Sequence, residues 1–244
     1  MDADDSESAQ PTQYGEEPTS SPRAQSSPPT PVPPPTIQPT ERYGWRVTPI
    51  QEPNTGAAFM FQELARIQLM PLLVVQIDCW DPETQQFIVP PPEELATLVV
   101  MVSVQTIDGE DASLVRLRED DTVAHSTLYG GRVQMTHLLP SVNDPNLTGC
   151  YAFFPDLSIR VPGEFRLRFW LQRVSMDPDH QQPSVGSYLD VYHTGGFRVV
   201  PLHQFVAPPR IKLTSAATTE LTTHFASLGI DLHLQDANWD LDHA

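Results

Sequence analysis

The sequence has little positive charge and almost no lysine. Of its 244 residues, 31 are Asp or Glu and 14 are Lys or Arg, which gives a formal net charge of −17. Lys212 is the single lysine. Nucleic acids and anionic membranes concentrate proteins through a positive field. The composition therefore argues against a general binder of nucleic acid or of an anionic membrane surface.

Long apolar runs, a leader sequence and a cysteine framework are also missing. No run approaches the about 18 apolar residues of a membrane-spanning helix, and the acidic residues 1–5 do not resemble a secretory or mitochondrial signal. The 2 cysteines, Cys79 and Cys150, are too few for a disulfide framework and lack metal-ligand spacing. We expect an intracellular protein with no membrane contact, in which both cysteines act as small buried apolar side chains.

Motifs for catalysis and metal binding are absent from the sequence as well. It has no Gly-x-Ser-x-Gly elbow, no Gly-rich phosphate loop and no His-Glu-x-x-His pair, and its 8 histidines are scattered. Asp108, Glu110 and Asp111 do not have the spacing of a calcium loop, and a hairpin turn explains them better. Glu93 and Glu94 would point to opposite faces of a strand and could not act as a catalytic pair. We expect no enzyme activity, no cofactor and no small-molecule substrate.

Proline is abundant, at 26 residues, and ten of the prolines lie in residues 1–41. This segment has seven acids, the single base Arg23 and few apolar side chains. Burial therefore cannot offset the entropy of ordering it. We predict a disordered tail, extended as polyproline over residues 28–35, that is either plainly solvated or a ligand of proline-binding modules. The rest of the chain keeps 24 acidic and 13 basic residues, a charge of −11.

From Tyr43 onward, short apolar runs alternate with turn signals, which is typical of an all-β sandwich. The clearest strand is residues 165–172, where apolar side chains alternate with Arg166 and Arg168. Further strands are predicted at residues 72–77, 98–104 and 197–200.

Two segments have helical patterns. Residues 59–70 form an apolar stretch that Pro71 would end. Residues 218–228 carry apolar side chains at helical spacing, and Gly229 is placed to cap the helix. A closing strand is predicted after it, with Ile230, Leu232 and Leu234 alternating.

Residues 149–169 carry the most distinctive pattern of the chain. An aromatic run leads into Phe-Pro-Asp-Leu-Ser at residues 154–158, then Arg160, then Gly-Glu-Phe-Arg-Leu at residues 163–167. This block resembles the velvet domain, a fungal regulatory module. Further blocks are similar to the same family in the same order, at residues 43–53, 71–84, 197–205 and 224–230. We also predict that the strands around residues 153–159 and 165–171 form a hairpin with apolar faces inward.

The resemblance implies a mainly β, immunoglobulin-like sandwich, similar to that of Rel-type transcription factors, with one or two short helices. The sandwich would span residues 42–236, between the tail 1–41 and a short C-terminal tail at 237–244. The resemblance also implies a regulator of fungal development, sporulation and secondary metabolism. Such a regulator would dimerise with itself or with another velvet protein, and would reside in the nucleus, with or without shuttling to the cytoplasm.

The sequence departs from the family at the basic DNA-binding loop. Aligned without gaps, the basic positions of that loop fall on Thr55, Ala57, Leu64, Arg66 and Ile67, and only Arg66 keeps its charge. Each lost phosphate contact weakens binding at every DNA sequence. We therefore expect weak intrinsic DNA binding, with Arg66 as the remaining loop contact and DNA reached through the dimer partner.

Three other arginines are candidates for auxiliary phosphate contacts. These are Arg116, Arg118 and Arg132. Together with Arg166 and Arg168 they would form a compensating basic patch if all five converged on one face, although solvated strand faces explain these arginines better. The C-terminal side offers no replacement, because the family's basic end is occupied here by Asp-Leu-His-Leu-Gln-Asp at residues 231–236, which has two acids and no Lys or Arg.

The apolar segment that replaces the basic loop has two interpretations. Residues 57–69 either cover the core of the sandwich or present a partner-binding surface, with Phe59, Phe61, Leu64 and Ile67 as candidate contacts. A second functional hypothesis is an adaptor that keeps the β-sandwich without a transcriptional role. It would interact through this segment and through the proline-rich tail.

Overall fold

The structure, a computed structural model, describes residues 41–176, 183–205 and 219–232. The predicted tail 1–41, apart from residue 41 itself, lies outside these ranges, as do the predicted tail 237–244 and the predicted strand residue Leu234. The described strands are β1 Gly44–Gln51, β2 Thr55–Ala58, β3 Leu73–Asp81, β4 Gln86–Ile88, β5 Leu98–Thr106, β6 Leu114–Val115, β7 His125–Ser126, β8 Leu128–Tyr129, β9 Val133–Met135, β10 His137–Pro140, β11 Thr148–Phe154, β12 Ser158–Ile159, β13 Gly163–Met176, β14 Pro183–His193 and β15 Phe197–Pro201. The described helices are α1 Pro92–Leu95 and α2 Glu220–Ser227, with 3-10 helices at Glu63–Ala65 and Leu202–Gln204.

Most strands belong to two sheets. The first has the order β1-β3-β11-β10, with β4 also paired to β3. The second has the order β2-β15-β13-β5-β9, with β14 also paired to β13. Short two-stranded pairs, β12 with β8 and β6 with β7, lie outside these sheets. The predicted mainly β, sandwich-like fold is confirmed.

The core lies between the two sheets. Along its strands, apolar side chains that point into the core alternate with side chains that point outward. Val100, Val102 and Val104 of β5 are buried, as are Leu167 and Phe169 of β13, whereas the residues between them are half-exposed. These side chains share one cluster with the inner face of β3. The alternation of apolar and polar residues in the sequence therefore indicates that β5 and β13 each have one buried face and one outer face.

A second apolar cluster lies on the outer face of the first sheet. Tyr151 and Phe153 of β11 point away from the sandwich core and contact Phe225 of α2, with ring centroids 4.8 Å apart in both pairs. Cys150, Ala152 and Phe154 of β11 face the core, so residues 150–154 of this strand are buried on both sides. Helix α2 therefore covers the first sheet as a third layer.

Helix α2 confirms the second predicted helix. Thr219 caps its N-terminus through a capping box with Thr222, which satisfies two otherwise unpaired groups of the first turn. At the other end, Gly229 has φ +86°, a left-handed conformation that favours glycine and ends the helix. Ile230 and Leu232 pack against the outer cluster but are not in a strand, so the predicted closing strand is wrong for the part that the structure describes.

The predicted hairpin between the strands of residues 153–159 and 165–171 is wrong. β11 pairs with β3 and β10 in the first sheet, whereas β13 pairs with β5, β14 and β15 in the second. The two strands face each other across the core instead of hydrogen bonding. An alternating pattern places apolar side chains on one face, but it does not specify which strand lies alongside.

The predicted helix at residues 59–70 is also wrong, apart from the 3-10 turn at Glu63–Ala65. Its backbone N–H groups are bound to other segments: Met60 N donates to Arg160 O at 2.8 Å and Leu69 N to Leu157 O at 2.7 Å. Met60 also has φ +48°, outside the helical region. We call residues 59–70 the apolar loop.

Three smaller predictions can be compared with the described residues. Residues 106–110 form the predicted hairpin turn, with Gly109 N donating to Thr106 O at 3.0 Å. Glu93 and Glu94 lie on α1 instead of a strand. Both cysteines are buried and free, as predicted, and burial raises the pKa of each thiol to about 12.

No helix in the described ranges is long and apolar enough to cross a membrane.

Candidate functional site

The candidate site is the apolar loop and the side chains against which it packs. The loop leaves β2, turns outward at Met60 and returns to β3, and the backbone of residues 157–160 holds both of its ends. The predicted loop contacts Phe59, Phe61, Leu64, Arg66 and Ile67 therefore lie on a segment whose two ends are fixed. These five side chains differ sharply in how much of their surface is exposed to solvent.

A buried arginine holds this turn. Arg160 is 2% exposed, and its guanidinium donates to Met60 O at 2.7 Å, to Ser126 O at 3.1 Å and to Glu63 Oε1 at 2.7 Å. It also donates to the hydroxyl of Tyr129. Five N–H donors in a planar fork suit this arrangement, which a lysine could not reproduce. Arg160 thus ties the loop to β7 and β8.

Two aromatic rings pack against the same guanidinium. The Cζ atom of Arg160 lies 4.9 Å from the ring centroid of Phe59 and 4.6 Å from that of Tyr129. The two rings contact each other edge to face, with centroids 5.1 Å apart. Stacking a cation on ring faces is favourable and excludes water from its other contacts. Phe59, 1% exposed, is therefore a part of the interior, and its predicted role as a direct partner contact is wrong.

The charge of Arg160 is balanced from the surface. Glu63, whose side chain is 55% exposed, accepts the ion pair on Oε1. The hydrogen bond from Arg160 lowers the pKa of the Glu63 carboxyl below its ordinary value of 4.5, against the opposite effect of desolvation. The carboxylate is therefore fully ionised at neutral pH. Because Arg160 is both enclosed and neutralised, it is not placed to bind an external phosphate.

Two large apolar side chains of the loop point into solvent. Phe61 is 55% exposed, and Leu64, at the outermost 3-10 turn, is fully exposed. Ile67 is half-buried, while Leu69 and Met70 belong to the interior. The two interpretations of the segment thus apply to different residues: its ends cover the core, and its tip is presented to the surroundings.

The structure brings two of the predicted arginines to the loop. Arg66 lies over the ring of Tyr129, 5.5 Å from its centroid, and Arg118 lies over the ring of Phe61 at 5.2 Å. Arg116 and Arg132 are exposed, but neither has a hydrogen bond, ion pair or ring contact to the loop within the described residues. Arg66 and Arg118 thus lie at the loop, whereas a phosphate-binding role for Arg116, Arg118 and Arg132 stays a prediction.

Sequence reasoning missed the residues that form the centre of the site. Arg160 stood in the most distinctive block of the chain but received no role, and Glu63 and Tyr129 received none either. One signal was available: Arg160 is a charged residue between Ile159 and Val161, in a stretch that is otherwise apolar. Such an arginine needs buried partners, but the sequence does not say which.

The arrangement offers shape and apolar contact more than reactive chemistry. Within the ranges that the structure covers, no group of three or more His, Cys, Asp or Glu side chains is placed to hold a metal ion. The exposed tip carries Phe61 and Leu64, with Arg66 and Arg118 beside it. Exposed large apolar side chains rimmed by charges are typical of protein-binding surfaces.

One comparison with known proteins gives a match. A family model described as Velvet factor matches residues 115–238, which is 124 of the 244 residues. The matched region contains β11, β13, Tyr129 and Arg160, while the apolar loop precedes it. No curated protein matches the chain.

Proposed function

Because this chain belongs to the velvet factor family of fungal regulators, we propose that it regulates transcription in fungal development, sporulation and secondary metabolism. In this proposal it acts in the nucleus as a dimer with itself or with another velvet protein. Its own hold on DNA is weak, and the partner supplies most of the DNA contacts.

The exposed tip of the apolar loop supports the proposal that the chain associates with a partner protein. Leu64 is fully exposed and Phe61 is 55% exposed, on a turn that Arg160 fixes from inside. A rigid apolar tip loses little conformational entropy on binding, so its burial contributes more fully to affinity. Interfaces concentrate their binding energy in a few such anchors.

The proposal of weak DNA binding is supported by the location of the residues that align with the family's basic loop. Thr55 and Ala57 lie in β2, and Ala57 is 1% exposed. An arginine could not extend from Ala57 to a phosphate without disrupting the core. Arg66 and Arg118 are exposed basic side chains at the loop, unlike the buried Arg160, and both lie over aromatic rings. Two cations supply only a small part of the salt-dependent affinity of a specific DNA binder.

The test is duplex DNA binding by the purified full chain at about 150 mM salt, where phosphate contacts are already weakened. The chain is measured alone and with a second velvet protein. We expect no specific binding by the chain alone and measurable binding by the pair. Tight, sequence-specific binding by the chain alone would contradict the proposal that its own DNA binding is weak. Absence of the protein from nuclei and promoters would favour the adaptor hypothesis.

A further inference from the structure

The strands β9 and β10 form one side of the sandwich, and this side is open. β9 is the last strand of the second sheet, β10 is the last strand of the first, and they follow each other in the chain. Within the residues that the structure describes, each is paired along one of its edges alone. On the opposite side of the sandwich the sheets are joined, because Val47 N of β1 donates to Asp190 Oδ2 of β14 at 2.8 Å. The free edges of both sheets therefore lie together.

The direction of the backbone groups of β9 follows from its register with β5. Val102 N donates to Arg132 O at 2.9 Å. The adjacent residues Met101 and Val133 are therefore paired without exchanging hydrogen bonds with each other. Because this pattern alternates along an antiparallel pair, Met135 has the same orientation as Val133. The N–H and C=O groups of both residues point away from β5, and they have no hydrogen bond in the described part of the chain.

β9 lacks the features that protect most free edges from pairing, which are charges, prolines and bulges. β10 has such a feature. Ser141 N donates to Leu147 O at 2.7 Å, so Pro140 lies at an outward position of β10, where it offers no N–H donor. The three residues of β9 include no charge and no proline, and Val133 and Met135 are 51% and 62% exposed. β9 is therefore the edge that is open to another strand.

We propose that β9 pairs with β9 of a second copy of this chain, antiparallel and about a twofold axis at Gln134. In this register Val133 of each copy lies opposite Met135 of the other. Both residues have outward N–H and C=O groups, so each of these pairs exchanges two backbone hydrogen bonds. A second copy supplies this match by symmetry. The interface uses other residues than the tip of the apolar loop and adds a second association surface to the proposed function.

The charges near β9 permit two copies to meet there, although the whole chain has a net charge of −17. Residues 133–140 contain no Asp, Glu, Lys or Arg. The adjacent Arg132 is exposed, and in the proposed register it lies opposite Thr136 of the other copy. The Arg132 residues of the two copies are then about 13 Å apart along the strands. This exceeds the Debye length of about 8 Å at physiological salt, so their repulsion is largely screened.

Disulfide crosslinking of the full chain tests the register. A chain with Val133→Cys is mixed with a chain with Met135→Cys in oxidised glutathione. In the proposed pair, the Cα atoms of the two new cysteines are about 5.5 Å apart, within reach of a disulfide. Two copies of the same variant place them about 8 Å apart, which is too far. Cys79 and Cys150 are buried, with thiol pKa values of about 12, and do not compete.

We expect the mixture to crosslink about fivefold faster than either variant alone. Equal rates would overturn the proposal. Adding Leu64→Asp to both chains separates this interface from the tip of the apolar loop. The rate should then stay unchanged. Loss of crosslinking would show that the copies meet through the loop, which would overturn the pairing of β9 and leave the proposed function standing.

The Met135→Pro variant tests the backbone hydrogen bonds themselves. It removes an N–H that points to the second copy and none that points to β5, so the circular dichroism of the chain should be unchanged. Each dimer loses two symmetry-related donors, and we expect about tenfold weaker self-association by analytical ultracentrifugation. The matched control Met135→Leu keeps the donor and the apolar side chain and should associate like the parent. Equal association of the two variants, or a parent chain that stays monomeric, would overturn the proposal.

Discussion

The Nη2 atom of Arg160 lies 2.7 Å from Oε1 of Glu63, although Arg160 is 2% exposed and the side chain of Glu63 is 55% exposed. The pair therefore runs from the interior to the surface of the apolar loop. It allows a full positive charge to be buried, and at the same time it fixes the turn that presents Leu64. The shape of the loop depends on a residue about 100 positions away in the chain.

Replacing Arg160 should destabilise the fold strongly. Arg160→Ala leaves the carbonyls of Met60 and Ser126 without their donors and removes the side chain that packs against the rings of Phe59 and Tyr129. We expect a loss of about 3 kcal/mol in the free energy of unfolding, measured by urea denaturation. The control Arg132→Ala, at an exposed arginine, should change it by less than about 0.5 kcal/mol. Equal effects of the two variants would contradict the structural role of Arg160.

Changing the tip of the loop should affect association without affecting stability. In Leu64→Asp, a fully exposed leucine is replaced by a charge that an apolar partner surface disfavours. We expect at least tenfold weaker binding to a velvet partner, or to a second copy, by analytical ultracentrifugation, which corresponds to about 1.4 kcal/mol. Leu147→Asp, at another exposed leucine (61%) far along the chain, is the control. If both variants bind equally well, the apolar loop is not the interface.

Restoring charge at the tip should improve DNA binding. Leu64→Arg places a cation on an exposed turn beside Arg66 and Arg118. We expect the slope of log affinity against log salt to steepen by about one for duplex DNA of any sequence. Ala57→Arg should unfold the protein instead of binding DNA, because Ala57 is 1% exposed in β2. An unchanged salt slope in Leu64→Arg would show that the loop does not face DNA at all.

The sequence predicted the parts of the fold that depend on local pattern. The strands at 72–77, 98–104, 165–172 and 197–200 all exist, because alternation reports burial on one face directly. The capped helix after Thr219 also exists, because caps and apolar spacing are local signals. Strand pairing was not predictable in the same way. β11 is apolar on both faces, so its pattern could not show that it belongs to the sheet opposite β13.

The apolar loop shows why the centre of the site escaped prediction. Its composition is compatible with a helix, but the backbone donors of Met60 and Leu69 are bound by residues 157–160. These long-range contacts outweigh a weak local propensity. Which of its apolar side chains are exposed follows from the same contacts. Phe59 stacks on Arg160, and the turn at Met60 directs Phe61 and Leu64 outward.

The ion pair between Arg160 and Glu63 should weaken in acid, because it requires the ionised carboxylate of Glu63. The hydrogen bond from Arg160 lowers the pKa of this carboxyl, so the folded state favours its ionised form. The stabilisation is complete above the ordinary pKa of 4.5 and is lost as the pH falls through the lower, folded value. We expect an NMR titration to place the pKa of Glu63 below 4.5, and Arg160→Ala to move it upward. A value above 4.5 in the parent protein would contradict the ion pair.

Helix α2 should depend on one aromatic contact. Phe225 is fully buried, with its ring centroid 4.8 Å from those of Tyr151 and Phe153. Phe225→Ala removes this ring and leaves a cavity under the helix, so we expect a loss of about 3–4 kcal/mol by urea denaturation. Leu228→Ala is the matched control on the same helix end, since Leu228 is 37% exposed, and it should cost well under half as much. Hydrogen exchange should show the amides of α2 opening first in Phe225→Ala, while those of β13 stay protected, because the helix covers only the first sheet. Similar losses in both variants, or early exchange of β13, would mean that α2 is not held by this contact.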